Sequence, residues 1–211
     1  APVSVNLGTG AVSSGDAAGD TILGFEGIIG SSGNDTLTGD SGDNLIQGGA
    51  GNDLLTGGGG ADTLEGGSGN DTVDFSGTAA AVVIDLAAGT VSGGDATGTV
   101  LSGIEAVLGT GLADQIAGDS GANTLSGNGG ADTLWGGAGN DQLFGGDGDD
   151  LLYGGAGADS LVGGAGSDTA DYSASSAAVN ATLGGTGTGG DAAGDTLSGS
   201  RTSSARPMPI R

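Results

Sequence analysis

The chain has 211 residues, 52 of them Gly, and its 26 acidic residues against 3 basic ones leave a net charge of −23. Cys and His are absent, which excludes disulfide frameworks and thiolate or imidazole metal sites; the charge excludes nucleic acid as a partner, and no run of about 18 apolar residues is present to span a membrane. So much glycine and charge would signal disorder, unless the glycines recur with a fixed period, which signals a repeat architecture.

The opening, APVSVNL, has neither Met nor a leader pattern and reads as part of a longer chain. Residues 1–29 are the strand-and-turn segment of a first module. Their Val3-Ser-Val-Asn-Leu7 returns 79 residues later as Val82-Val-Ile-Asp-Leu86, and the same shift aligns GFEGIIG (24–30) with GIEAVLG (103–109). Residues 30–74 are five nine-residue repeats without a gap: GSSGNDTLT, GDSGDNLIQ, GGAGNDLLT, GGGGADTLE and GGSGNDTVD. The inter-block segment 75–108 opens a second module and lacks this motif; it either continues the stack as irregular coils or separates two rolls. Residues 109–171 are seven repeats, from GTGLADQIA to GGAGSDTAD. A truncated third module occupies 172–200, with its first strand at Val179, 97 residues after Val82. The remaining RTSSARPMPIR, 201–211, holds all three Arg, the only Met and two of three Pro, and reads as a tail of different origin that supplies no ligand.

The repeat reduces to G-G-x-G-x-D-x-U-x, where U is a large aliphatic. It divides into a six-residue turn and a three-residue strand, with U on the inner side as the strand period of two requires. Glycines at the first, second and fourth positions allow φ > 0 and let carbonyls converge. Consecutive strands face each other across a thin core, so every second repeat stacks on the same side and one coil takes 18 residues, at a rise of about 4.8 Å. The core row is Leu37, Ile46, Leu55, Leu64 and Val73, then Ile116, Leu125, Leu134, Leu143, Leu152, Leu161 and Ala170.

This stacking sets the sixth-position aspartates in ladders down both edges. Bare carboxylates at such spacing repel, and with no Lys or His in the chain the neutralising cation must come from solution. Turn carbonyls and carboxylates offer six or more hard oxygens, which favours Ca²⁺ over Mg²⁺. One aliphatic per repeat, at about 1.5–3 kcal/mol each, does not offset an ordering entropy of about 1–2 kcal/mol per residue. Folding is therefore expected to be coupled to metal binding, with an expanded polyanion when calcium is withheld.

Over 30–74 and 109–171 the register resembles the RTX, or hemolysin-type, calcium-binding repeat. The resemblance implies an all-β fold, a right-handed parallel β-roll or solenoid, with one ion between turns n and n+2. Carried over by position, the implied ligands are Asp35, Asp53, Asp62, Asp71, Asp114, Asp132, Asp141, Asp150, Asp159 and Asp168. Five repeats then allow three ions and seven allow five, eight at most. Asn44 and Asn123 replace the sixth-position Asp in the second repeat of each block, and Leu112 replaces a fourth-position Gly. The resemblance further implies a bacterial protein secreted by a type I system, unfolded in low cytosolic calcium and folded outside, in an extracellular or cell-surface location. Two alternatives stand beside it. One is a repeat of an adhesin or surface-layer protein, which the recurring modules favour and which leaves lateral or end-to-end self-association open. The other is the C-terminal export and folding domain of a secreted protease or lipase.

Catalysis is not expected. Without His, Cys or Lys there is no triad, thiol chemistry or Schiff base, and the carboxylates are better accounted for as ligands. Asp16, Asp20, Asp85, Asp95, Asp191 and Asp195 lie off the nine-residue register and read as solvated. Trp135 and Tyr153, 18 apart at ninth positions, should stack, with Phe144 between them in sequence. Phe75 and Tyr172 follow the last repeat of each block and should cap its open end.

Overall fold

The computed structural model describes residues 1–199 and the backbone of the strand Thr202–Ser204. Among these the protein is all-β, with no α-helix and two single 3-10 turns at Gly94–Ala96 and Gly190–Ala192. The chain divides into two compact units, Ala1–Leu108 and Gly109–Arg211, each a β-solenoid of stacked parallel coils.

In unit 2 the coil length is read directly from the register. Leu125 pairs with Leu143 and Leu143 with Leu161 on one face, while Ile116 pairs with Leu134 and Leu134 with Leu152 on the other. Each step is two repeats. Unit 1 follows the same rule, Ile28 with Ile46 and Ile46 with Leu64 on one face, Leu37 with Leu55 on the other. Every member of the expected core row is at most 1% exposed. The row starts one repeat earlier than expected, because Ile28, 6% exposed, occupies the aliphatic position in a segment without the glycine turn.

Two details of the repeat differ from expectation. Strands such as Thr133–Ala138 and Leu151–Ala156 run six residues rather than three, because Gly137 and Ala138 stay in register with Gly155 and Ala156. The turn is thus confined to the fourth to sixth positions. Gly137 in the strand and Gly139 in the turn have φ of 105 and 116, whereas the first-position Gly136 stays out of the left-handed region. Gly136 is needed for a different reason, the space its missing Cβ leaves.

The inter-block segment continues the stack of unit 1 after a detour. Val83–Asp85, Thr90–Ser92 and Val100–Ser102 form an antiparallel meander; Val100–Ser102 then returns parallel onto Thr63–Ser68, and Ala106–Leu108 onto Thr72–Asp74. The third module ends unit 2 in the same way, with Thr196–Ser198 on Ser160–Ala165 and Thr202–Ser204 on Thr169–Asp171. The expectation of a separate tail at 201–211 otherwise lies outside the described residues.

Candidate metal centre

The sixth-position side chains point into the turns and are buried: Asp35, Asp53, Asp62, Asp71, Asp114, Asp132, Asp141, Asp150, Asp159 and Asp168 are all at most 2% exposed. Each ladder is a chain of backbone-to-carboxylate hydrogen bonds. The Asp132 N–H donates to Asp150 Oδ1 at 2.9 Å, and the Asp150 N–H donates to Asp168 Oδ1 at 3.2 Å. The Asp114 N–H reaches Asp132, the Asn123 N–H reaches Asp141, and the Asp141 N–H reaches Asp159, at 2.7 to 2.9 Å. In unit 1 Asp35 donates to Asp53 and Asp53 to Asp71 at 2.8 Å, and Asn44 donates to Asp62 at 2.9 Å. One carboxylate oxygen per repeat therefore sutures two adjacent coils.

The second oxygen separates the sites. The Oδ2 atoms of Asp53, Asp71, Asp132, Asp141, Asp150 and Asp159 are buried without a hydrogen-bond partner. A Cβ on Gly145 would strike both Asp150 Oδ2 and the carbonyl oxygen of Gly163; one on Gly136 would strike Asp141 Oδ2 and the Gly154 carbonyl. So an anionic oxygen and a carbonyl oxygen from the next coil converge where first-position glycines such as Gly48, Gly127, Gly136 and Gly145 leave room. Two acceptors with no proton between them fit a cation, and a buried carboxylate left unpaired would cost several kcal/mol. The donors are all oxygen. Among the described residues no three acidic side chains meet, so any ion must draw mainly on backbone carbonyls, a hard and adaptable set suited to Ca²⁺.

Electrostatics agrees. Burial pushes the Asp132 carboxyl up to about 7 and that of Asp159 to about 6, against an ordinary 3.8, with a backbone hydrogen bond opposing and neighbouring carboxylates adding to the rise. Asp62, Asp71, Asp141 and Asp150 are raised by the same leading cause.

The first two repeats of each block are built differently. Asp35 accepts from the Ser31 N–H and Oγ–H and from the Val3 N–H, and Asp114 accepts from the Thr110 N–H and Oγ–H. Asn44 and Asn123 accept from the N–H of Asp40 and Asp119. Their second positions hold Ser, Thr or Asp instead of Gly, so a side chain closes the turn and the sixth-position oxygen is taken up locally.

Three ladder members escaped the nine-residue register. The Asp71 N–H donates to Glu105 Oε2 at 2.8 Å, the Asp62 N–H to Thr99 Oγ1 at 3.3 Å, and the Asp159 N–H to Asp195 Oδ1 at 2.9 Å. Asp195, expected to be solvated, is fully buried. The overlooked signal is its tripeptide, Asp195-Thr196-Leu197, which repeats Asp132-Thr133-Leu134. Its Oδ2 also accepts from the Tyr172 hydroxyl at 2.8 Å. Phe75 stands at the start of the second module where Tyr172 stands at the start of the third, and Thr99 where Asp195 stands, so hydroxyl and acceptor change together. Both aromatic rings are buried. Of the other acids read as solvated, Asp16, Asp20 and Asp95 are exposed and Asp85 and Asp191 half-buried.

A further ladder at the fifth position was not foreseen. Asn34 Oδ1 accepts from the Asn52 N–H, Asn140 from Ala158 and Asp149 from Ser167, at 2.8 to 2.9 Å. These bonds run from the later coil to the earlier, opposite to the sixth-position ones, so each turn is held from both sides. The Trp135 and Tyr153 rings stack as expected, with centroids 5.7 Å apart and planes 8° from parallel.

Among curated proteins, none matches the chain. The family model of the RTX calcium-binding nonapeptide repeat matches in four copies, at residues 28–55, 38–73, 108–143 and 135–170, which together span more than half of the sequence. With the nonapeptide register, the stacked parallel coils and this match in agreement, the chain belongs to the family of RTX calcium-binding nonapeptide repeats.

Proposed function

We propose that this calcium-binding structural repeat is a folding element that is ordered by calcium outside a bacterial cell. The observation that carries the reading is the set of buried, unpartnered Oδ2 atoms on Asp53, Asp71, Asp132, Asp141, Asp150 and Asp159, all but that of Asp159 lying beside a glycine carbonyl. These six aspartates, with Asp62 and Asp168 in the same register, are the proposed ligands, for up to about eight ions; Asp35 and Asp114 are the weakest of the set because their own turns engage them. Asp195 extends the hydrogen-bond ladder at the end of unit 2, with both of its oxygens engaged. Bound calcium would neutralise the carboxylates and tie turn n to turn n+2, which lies in the next coil. The protein's own part is to fix the oxygens: glycine removes the Cβ, and the ladder N–H orients Oδ1 so that Oδ2 faces the turn.

The recurrence of modules 79 and 97 residues apart favours an adhesin or surface-layer stalk, in which rigid units in tandem build length. Circular dichroism tests the central reading. Strand signal is expected to appear cooperatively as calcium is added to the depleted chain, and not with equal magnesium; an ordered roll in excess chelator would defeat it.

A further inference from the structure

The segment that follows each module's first strands recurs three times: GDAAGDTILG at 15–24, GDATGTVLSG at 94–103 and GDAAGDTLSG at 190–199. Two of the three are seated on a nonapeptide coil of their own unit. In unit 1, Val100–Ser102 and Ala106–Leu108 lie on Thr63–Ser68 and Thr72–Asp74, and Leu101, Ile104 and Val107 are at most 5% exposed. The coil's sixth-position N–H groups, on Asp62 and Asp71, are received by Thr99 and Glu105. In unit 2, Thr196–Ser198 lies on Ser160–Ala165, and Asp195 receives the Asp159 N–H.

The first copy has no coil beneath it. Leu23 and Ile29 are 76% exposed and Phe25 54%, where its equivalent Ile104 is 5%. Val5, Val12, Ile22, Phe25, Ile28 and Ile29 line an open groove of about 310 Å³. Asp20 stands where Asp195 and Thr99 stand, Glu26 where Glu105 stands, and both are exposed. Aliphatic row and paired acceptors are thus both present without the partner that each engages elsewhere in the chain.

We propose that the face Asp20–Ile29 is a docking surface for the end coil of a further calcium-binding nonapeptide block. The partner's chemistry is specified: an aliphatic row for Ile22, Phe25 and Ile28, and two sixth-position aspartate N–H groups for Asp20 and Glu26. A second copy of this chain does not offer it, because both of its end coils are already covered, by 82–108 in unit 1 and by the third module in unit 2.

The test places residues 1–81 a second time ahead of Val3 of the full chain, so that Ala81 of the added module meets Val3 as it meets Val82 in the native order. In calcium, Phe25→Ser at the junction should lower the melting midpoint by about 5 °C or more, since a covered ring is lost. The same substitution in the leading module, or in the unextended chain, should move it by less than about 2 °C. A paired Asp20→Asn, Glu26→Gln variant should repeat the contrast. Equal shifts at the two places would overturn the proposal. So would self-association of the unextended chain, in sedimentation, that Phe25→Ser abolishes, since the partner would then be a second copy. The proposal rests on calcium-driven folding, and the two failures are distinguishable: without that folding, no chain in the set shows a calcium-dependent transition.

Discussion

Asp150 does two things at once. Its Oδ1 holds the N–H of Asp132 in the preceding coil, while Oδ2 lies beside the Gly163 carbonyl in the coil that follows. Asn123 uses its oxygen on the Asp119 N–H of its own turn and carries no charge. Removing a charged ligand should weaken a hard-oxygen site far more than removing an amide. Asp150→Ala is therefore expected to raise the calcium midpoint for folding about tenfold or more, on the scale where about 1.4 kcal/mol is tenfold, and Asn123→Ala much less. Trp135 fluorescence reads both, and equal midpoints would remove the sixth position as the ligand row. Protons compete for the same atoms. The carboxyls of Asp132 and Asp159, raised to about 7 and about 6 by burial, have folded values above the ordinary 3.8. Each then contributes stability that is present below about pH 4 and is lost as pH rises through its folded value. The calcium-depleted chain should gain strand signal on acidification from pH 8 to 5, while calcium affinity falls across the same window because the ionised form is the ligand. Dichroism of the depleted chain at each pH, beside a calcium titration, checks both signs.

At the scale of one coil, glycine placement matters more than glycine content. Gly145 is confined by Asp150 Oδ2 and the Gly163 carbonyl, whereas a Cβ at Gly111 would meet nothing within 4 Å, and Gly111 is outside the left-handed region. Gly145→Ala should shift the calcium midpoint by about tenfold or more, because the new methyl displaces two ligand oxygens at once. Gly111→Ala should leave it within about twofold. A calcium titration of the two variants decides this, and matching behaviour would show that the first-position glycine is not part of the site. The opposed fifth- and sixth-position ladders also belong to this scale. They explain why a turn of three residues holds its shape without a hydrophobic anchor of its own.

For the whole molecule, a net charge of −23 faces a core of one aliphatic per repeat. Neutralising the ladders is what allows compaction. In excess chelator at pH 8, small-angle scattering should give a radius of gyration approaching about 50 Å, the scale for an unfolded chain of this length, and calcium should collapse it. A chelated chain that stays compact would show that the apolar row suffices alone.

The nine-residue register by itself determined the parallel solenoid, the 18-residue coil, the buried aliphatic row and the sixth-position ladder. A strict period leaves only one way to put every U residue inside. The sequence did not disclose how each carboxylate divides its oxygens, nor that Asn34, Asn140 and Asp149 form a ladder of their own, since both depend on backbone N–H groups 18 residues away. It also hid Glu105, Thr99 and Asp195, which stand 34, 37 and 36 residues from their partners instead of 18. Between each pair the chain makes an antiparallel detour before rejoining the stack. Spacing along the chain no longer measures stacking once such a detour intervenes, so only the tertiary structure could return those residues to the ladder.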